Sequence, residues 1–263
     1  MDLPGKDERF RRGGGSLDVD RWGVISGGTN NSTTSARSCH VNTQIVVKKY
    51  AGQTLPASRH VPALDLPLVP LRIGLFGGTF DPPHVGHLVT AVNVRHALGL
   101  DAVVLMVANA PWQKWGTRPI TSAVDRLAMV EAAVADVDRL VAGDDEIRRG
   151  GPSFTADTLV ALADRYPGAE LFTIVGDDAA AGLTTWERHE EVAAQSQLVV
   201  VDRPGSPVTP PAGFDWLRVE VPRLEVSSTD LRARVHDGRP LDYLVTEPVL
   251  GIIASRQLYR YAA

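Results

Sequence analysis

The chain has 263 residues, 44% apolar and 22% charged, with a net charge of −4. That is enough for a sizeable core and ordinary for a globular protein, and the acidic balance argues against a nucleic-acid binder, which carries a basic excess. Cys39 is the one cysteine, so no intramolecular disulfide forms, which fits the cytoplasm. No run nears the ~18 apolar residues of a membrane span.

The charge is unevenly spread. Residues 1–70 hold 9 Lys and Arg against 6 Asp and Glu, and residues 71–263 hold 18 against 25. An acidic body that handles polyphosphate must gather its few cations at one place, so single arginines and histidines in it are informative. Residues 1–70, with Gly13-Gly14-Gly15 and the run Ser26–Ser38, are small, polar and aperiodic. They read as a disordered leader, because such a segment buries too little apolar surface to offset its ordering entropy. Only Gln44–Val47 has strand character there, and an upstream start codon would leave the same pattern.

The folded domain is placed at residues 71–263. Leu71–Phe76 is an apolar run ending in Gly77-Gly78, a buried strand entering a tight turn. Val85–Leu98 has helical spacing, with Leu88, Ala91 and Val92 on one side. Ala102–Val107 is a second buried strand, and Ser122–Val137 a helix carrying Leu127, Val130 and Val134. A short strand near Leu140, a helix over Thr155–Arg165, a strand at Leu171–Val175, a helix over Trp186–Ala194 and a strand at Leu198–Val201 follow. Two helices starting near Ser228 and Glu247 complete the pattern. Buried strands alternating with helices predict an α/β fold, doubly wound around a mainly parallel sheet. Ligands in such folds sit beyond the carboxyl ends of the strands.

The richest segment is Gly74–Leu88, GLFGGTFDPPHVGHL. Gly77-Gly78 lets the backbone turn sharply and approach a ligand. Pro82-Pro83 suits a helix entry, so a helix begins near His84 and its free N–H groups form an anion site. His84 and His87 are three apart and project from one side of that first turn. A His-x-x-His pair with Asp81 nearby also suits a metal, and a histidine at a helix start also suits a cap. The glycine pair directly after a buried strand favours phosphate. The chain has neither a P-loop nor a G-x-G-x-x-G fingerprint.

These residues resemble the T/HxGH signature of the nucleotidyltransferase superfamily and, within it, closely resemble the bacterial nicotinate mononucleotide adenylyltransferase family. A second superfamily signature is matched by Ser227-Ser228-Thr229-Asp230-Leu231-Arg232, which alone would read only as a good helix start. GGPSFTADTL at Gly150–Leu159 is similar to the segment lining the family's pyridine pocket. IVGDDAAAGLTTW at Ile174–Trp186 resembles its Gly-Ala/Asp-Asp segment and following tryptophan, and LVVVDRPG at Leu198–Gly205 a strand ending in Arg-Pro. Two departures stand out: Trp112-Gln113 precedes Lys114 where Pro-His is common, and Asp178 replaces an alanine.

The resemblance implies a Rossmann-like fold and adenylyl transfer from ATP to nicotinate mononucleotide, giving the dinucleotide and pyrophosphate in NAD biosynthesis. It implies that His84, His87 and Arg232 act on the phosphates. It places Gly77, Gly78, Thr79, Phe80, Gly86, Gly176, Asp177, Ser227, Ser228 and Thr229 around ATP, and Lys114, Thr155 and Trp186 around the mononucleotide. Mg²⁺ is expected mainly on the ATP phosphates, with no protein metal ligand assigned. The expected partners are the two substrates, with no nucleic acid or membrane, and an oligomer is allowed. The alternatives are another adenylyltransferase, such as that for phosphopantetheine, or an inactive nucleotide sensor.

Overall fold

The computed structural model describes residues 70–112, 119–202 and 209–260. The expected leader, Pro70 apart, lies outside them, as do Lys114 and the Arg203-Pro204 pair.

The apolar runs become the strands of one parallel sheet. In chain order the elements are β1 (Arg72–Gly78), α1 (Val85–Leu98), β2 (Ala102–Val107), α2 (Ala123–Val134), β3 (Leu140–Gly143), α3 (Asp145–Arg149) and α4 (Thr155–Arg165). There follow β4 (Glu170–Val175), α5 (Asp177–Ala181), a 3-10 turn at Leu183–Thr185, α6 (His189–Gln195), β5 (Gln197–Asp202), β6 (Trp216–Glu220), α7 (Ser228–Asp237) and α8 (Glu247–Ser255). The strand order is β3-β2-β1-β4-β5-β6 and every pairing is parallel.

Both faces of the sheet are covered, which is why β2 is apolar throughout and buried at every position. Its side chains alternate between layers. Val103, Leu105 and Val107 join Ala91, Val94 and Val130 on one face, whereas Val104 and Met106 meet Ala156, Leu159 and Leu162 on the other. A third cluster packs α7 and α8 over α2 through Met129, Leu231, Val249 and Ile253.

Local signals set the helix ends. The Ser122 hydroxyl accepts from the Asp125 amide at 3.1 Å and starts α2. The sheet has one strand more than the apolar runs predict, because β6 (WLRVE) is an edge strand with only Val219 buried. The short helices α3 and α5 are also additions. The helix expected from Trp186 begins instead at His189, after the 3-10 turn and a left-handed Arg188 at φ 54°, and α2 ends at Val134 rather than Val137. On α1, Ala91 and Val94 are buried while Val92 is exposed, because one residue is a 100° rotation and the sheet takes the Ala91 side.

Leu105 is fully buried in the central layer and Val124 is 67% exposed on α2. Leu105→Ala is expected to cost about 2–5 kcal/mol of stability, and Val124→Ala no more than about 0.5 kcal/mol. Urea denaturation of both variants checks this, and equal losses would contradict the assigned layers.

Candidate active site

The sheet order reverses between β1 and β4, and the loops leaving their carboxyl ends diverge to opposite sides of the sheet. Two cavities open there, of about 570 Å³ and 430 Å³. Phe76–Thr79, Gly176 and Asp178 line both. They are adjoining lobes with the β1 turn as their common floor.

The larger lobe is built around the start of α1. His84 is its N-cap residue, and the His84 amide donates to His87 Nδ1 at 3.1 Å. That bond makes Nδ1 an acceptor, so the neutral ring carries its proton on Nε2, which is left as a donor. The two imidazoles stack with centroids 3.7 Å apart, and the Phe80 ring meets His87 edge-on at 5.0 Å. Two glycines permit this packing. A Cβ on Gly78 would come within 2.7 Å of the Phe80 ring, and one on Gly86 within 3.0 Å of both His84 Nδ1 and Val226. His84 and Val226 thus fill the place of a side chain at Gly86, which itself lines the lobe.

The start of α7 covers the same lobe from the far end of the chain. Ser227 caps it, accepting from the Asp230 amide at 3.1 Å. Ser228 Oγ donates to the Pro82 carbonyl at 2.8 Å. The Arg232 guanidinium donates to the Asp81 carbonyl at 2.8 Å and to Thr229 Oγ1 at 3.2 Å. Two helix N-termini, two histidines and an arginine therefore meet in one concavity, an arrangement suited to an anion carrying several phosphates.

The smaller lobe lies beside the start of α4. Thr155 is the first residue of that helix, after Phe154 at the N-cap, and Trp112, Thr155 and Trp186 are part of the wall. Trp186 also packs against two apolar clusters, so its ring is both wall and support. The loop after β2 is laced to the loop before α4. Ser153 Oγ accepts from the amides of Asn109 at 2.8 Å and Ala110 at 3.4 Å, and Asn109 Nδ2 donates to the Gly151 carbonyl at 2.9 Å. Glu146 closes the lobe from beneath, taking a 2.8 Å hydrogen bond from Thr158 Oγ1.

Comparison with known proteins agrees with this geometry. Residues 75–234 match the cytidylyltransferase-like family model. A nicotinate-nucleotide adenylyltransferase from Corynebacterium kroppenstedtii is 43% identical over 72% of this chain and 90% of its own length. One from Streptomyces coelicolor is 43% identical over 70% of this chain and 98% of its own. The chain belongs to the nicotinate-nucleotide adenylyltransferase family. The nicotinic acid mononucleotide adenylyltransferase of Plasmodium falciparum, solved with NaAD, shares the fold at a TM-score of 0.60. It is 14% identical, over 73% of this chain and 98% of that one.

Set against the family signatures, the residues of both motifs lie together. Thr79, Phe80, Asp177 and Thr229 line the larger lobe with the histidines and Arg232. Of the two departures, Asp178 stands on the border shared by the lobes and Trp112 on the wall of the smaller one. Among the described residues no group of three or more His, Cys, Asp or Glu could hold a metal ion, and no helix is long and apolar enough to cross a membrane.

Two residues of the site carry no family mark that sequence analysis drew on. Arg126 is 1% exposed. It donates to the carbonyls of Thr121 and Thr79 at 2.8 Å and Asn109 at 3.2 Å, tying the β1 turn to the loop after β2. Its signal was its place on the buried stripe of α2, three and four residues before Met129 and Val130. Glu146 had none, since α3 was not foreseen.

Burial pushes the Glu146 carboxyl pKa up, against the lowering effect of hydrogen bonds from Ser153 and Thr158 and of Arg149. A raised folded-state pKa gives stability that is present below the ordinary glutamate value and lost as pH rises through the folded one. Wild type should therefore lose stability relative to Glu146→Gln as pH climbs out of the ordinary glutamate range. Denaturant titrations of both proteins across that range check it, and a constant difference would refute the assignment.

Proposed function

We propose that this chain transfers the adenylyl group of ATP to nicotinate mononucleotide, releasing pyrophosphate and forming the dinucleotide used to make NAD. The observation that carries this is the pair of lobes meeting over Gly77–Thr79. One is rimmed by two helix N-termini and the His and Arg side chains, the other by aromatic rings and a third helix start.

A two-substrate displacement needs such a junction. An oxygen of the mononucleotide phosphate attacks the α-phosphorus of ATP. One P–O bond forms as the bond to pyrophosphate breaks, and no covalent enzyme intermediate intervenes. Catalysis then rests on positioning and on stabilising charge spread over phosphate oxygens. His84, His87 and Arg232 act on those oxygens, with the α1 and α7 amides and Gly77, Gly78, Thr79, Phe80, Gly86, Gly176, Asp177, Ser227, Ser228 and Thr229 around the nucleotide. Thr155 and Trp186 hold the mononucleotide, and Lys114 is assigned there from the sequence alone. A divalent cation such as Mg²⁺, bound mainly through the triphosphate, would offset the charge of its oxygens. The reading places the enzyme in the cytoplasm, where its substrates are, and allows an oligomer.

His87→Ala removes a donor that strengthens as charge develops, so kcat is expected to fall roughly 10²-fold or more. Steady-state pyrophosphate release measures it, and near-normal kcat/KM would remove His87 from the mechanism.

Substrate choice follows from the donors at the start of α4. Amide N–H groups near Thr155 favour a carboxylate on the pyridine ring, while the amide form would set its own N–H donors against them. The Glu146 carboxyl, which also lines this lobe, is engaged by hydrogen bonds from Ser153 and Thr158. Mispairing of this kind costs about 1–3 kcal/mol, on the order of 10- to 100-fold in kcat/KM. Parallel assays with the acid and amide mononucleotides at equal ATP decide it, and equal kcat/KM would overturn the acid assignment.

A further inference from the structure

The turn after β1 is gripped from a direction that adenylyl transfer leaves unexplained. Tyr259, just past the end of α8, donates its hydroxyl hydrogen bond to Asp81 Oδ1 at 2.8 Å across 178 residues of sequence. Asp81 is 1% exposed, and its own carbonyl oxygen accepts from Arg232. One residue thus receives the tyrosine on its side chain and the arginine on its backbone. Burial, and then the charge of Asp81, push the Tyr259 pKa up, so the phenol stays protonated and remains a donor.

The backbone around it is shaped for this contact. Gln257 and Tyr259 both have positive φ, 54° and 64°. That region disfavours residues bearing a Cβ and persists where surrounding contacts over-determine it. The ring packs with Leu258 and Ile252 against the Met129 cluster, which alone would anchor the segment. A phenylalanine would do that equally well, whereas a half-buried phenol must find a polar partner. Its hydroxyl finds a carboxylate on the phosphate turn, at a shorter distance than the Met129 sulfur at 3.9 Å and beside the Thr121 side chain.

We infer that Tyr259 is a positioning residue for ATP: through Asp81 it fixes the carbonyl that orients Arg232. This rests on the adenylyl-transfer reading and on Arg232 facing the ATP phosphates. Tyr259 touches no reacting atom, so its loss should loosen ATP binding and leave the mononucleotide lobe unchanged.

The test is steady-state kinetics on the full chain. Tyr259→Phe keeps the ring and removes only the hydroxyl. KM for ATP should rise roughly three- to tenfold, with KM for nicotinate mononucleotide within about twofold of wild type. In an Arg232→Ala background the same change should add nothing further, because the effect runs through the guanidinium. Should Tyr259→Phe fail to fold, Asp81→Asn weakens the same hydrogen bond from its other end and should show the same split. An unchanged KM for ATP, equal rises for both substrates, or additivity with Arg232→Ala would overturn the inference. If wild type releases no pyrophosphate, or Arg232→Ala leaves KM for ATP untouched, the underlying reading falls instead and takes this inference with it.

Discussion

The turn that joins β1 to α1 has little of its own with which to hold a shape. It is entered through Gly78, which has no room for a side chain beside the Phe80 ring, and Phe80–His84 lie buried under groups from elsewhere in the chain. Its conformation must be imposed from outside, by groups that reach its carbonyls and its one buried carboxylate. Arg126 takes the Thr79 carbonyl, Arg232 that of Asp81, Ser228 that of Pro82, and Tyr259 the Asp81 side chain. These four come from α2, α7 and the segment past α8, elements that also share an apolar cluster. The layer outside the sheet is therefore the clamp on the phosphate turn, and its packing quality is transmitted to the site as hydrogen-bond geometry.

Such a clamp suits a reaction in which the protein does no covalent chemistry. When two bound phosphates react directly, rate depends on how well they are aligned and how well spread charge is met. Preorganised amides and a buried arginine hold their positions before substrate arrives, so little reorganisation is left for the transition state. Arg126 shows the principle at one remove from the ligands. Its fork reaches carbonyls on both sides of the junction, which a lysine's single ammonium could not span.

Much of this was legible in the residues. The six apolar positions of β2 admit only a strand covered on both faces, and Thr155–Arg165 emerged with the expected bounds because its apolar spacing and flanking loop agree. The cap at His84 followed from Pro82-Pro83. What stayed hidden has physical causes. β6 carries Arg218 and Glu220, both exposed at the edge of the sheet, so it lacks the apolar run that marks its neighbours. Arg126 stands on the buried stripe of α2, but its three carbonyl partners come from tertiary contacts that no local pattern shows. Tyr259 lies so far in sequence from Asp81 that no local pattern could join them. That an imidazole takes the place of a side chain at Gly86 is likewise visible only in the folded chain.

The long reach of the clamp also has a consequence in time. Asp81 and Arg232 are 151 residues apart, and Asp81 and Tyr259 178. At ribosomal rates of about 5–20 residues per second, the phosphate turn spends on the order of ten to thirty seconds outside or inside the exit tunnel before its last partners are made. The sheet can begin to assemble from β1 to β4 while the chain grows, but the nucleotide lobe cannot close until α7 has been made. Nascent chains arrested before α7 would carry the histidines and the glycine turn yet lack the far wall of the lobe. For this fold, competence to bind a nucleotide comes only after the strands of the sheet have all been made.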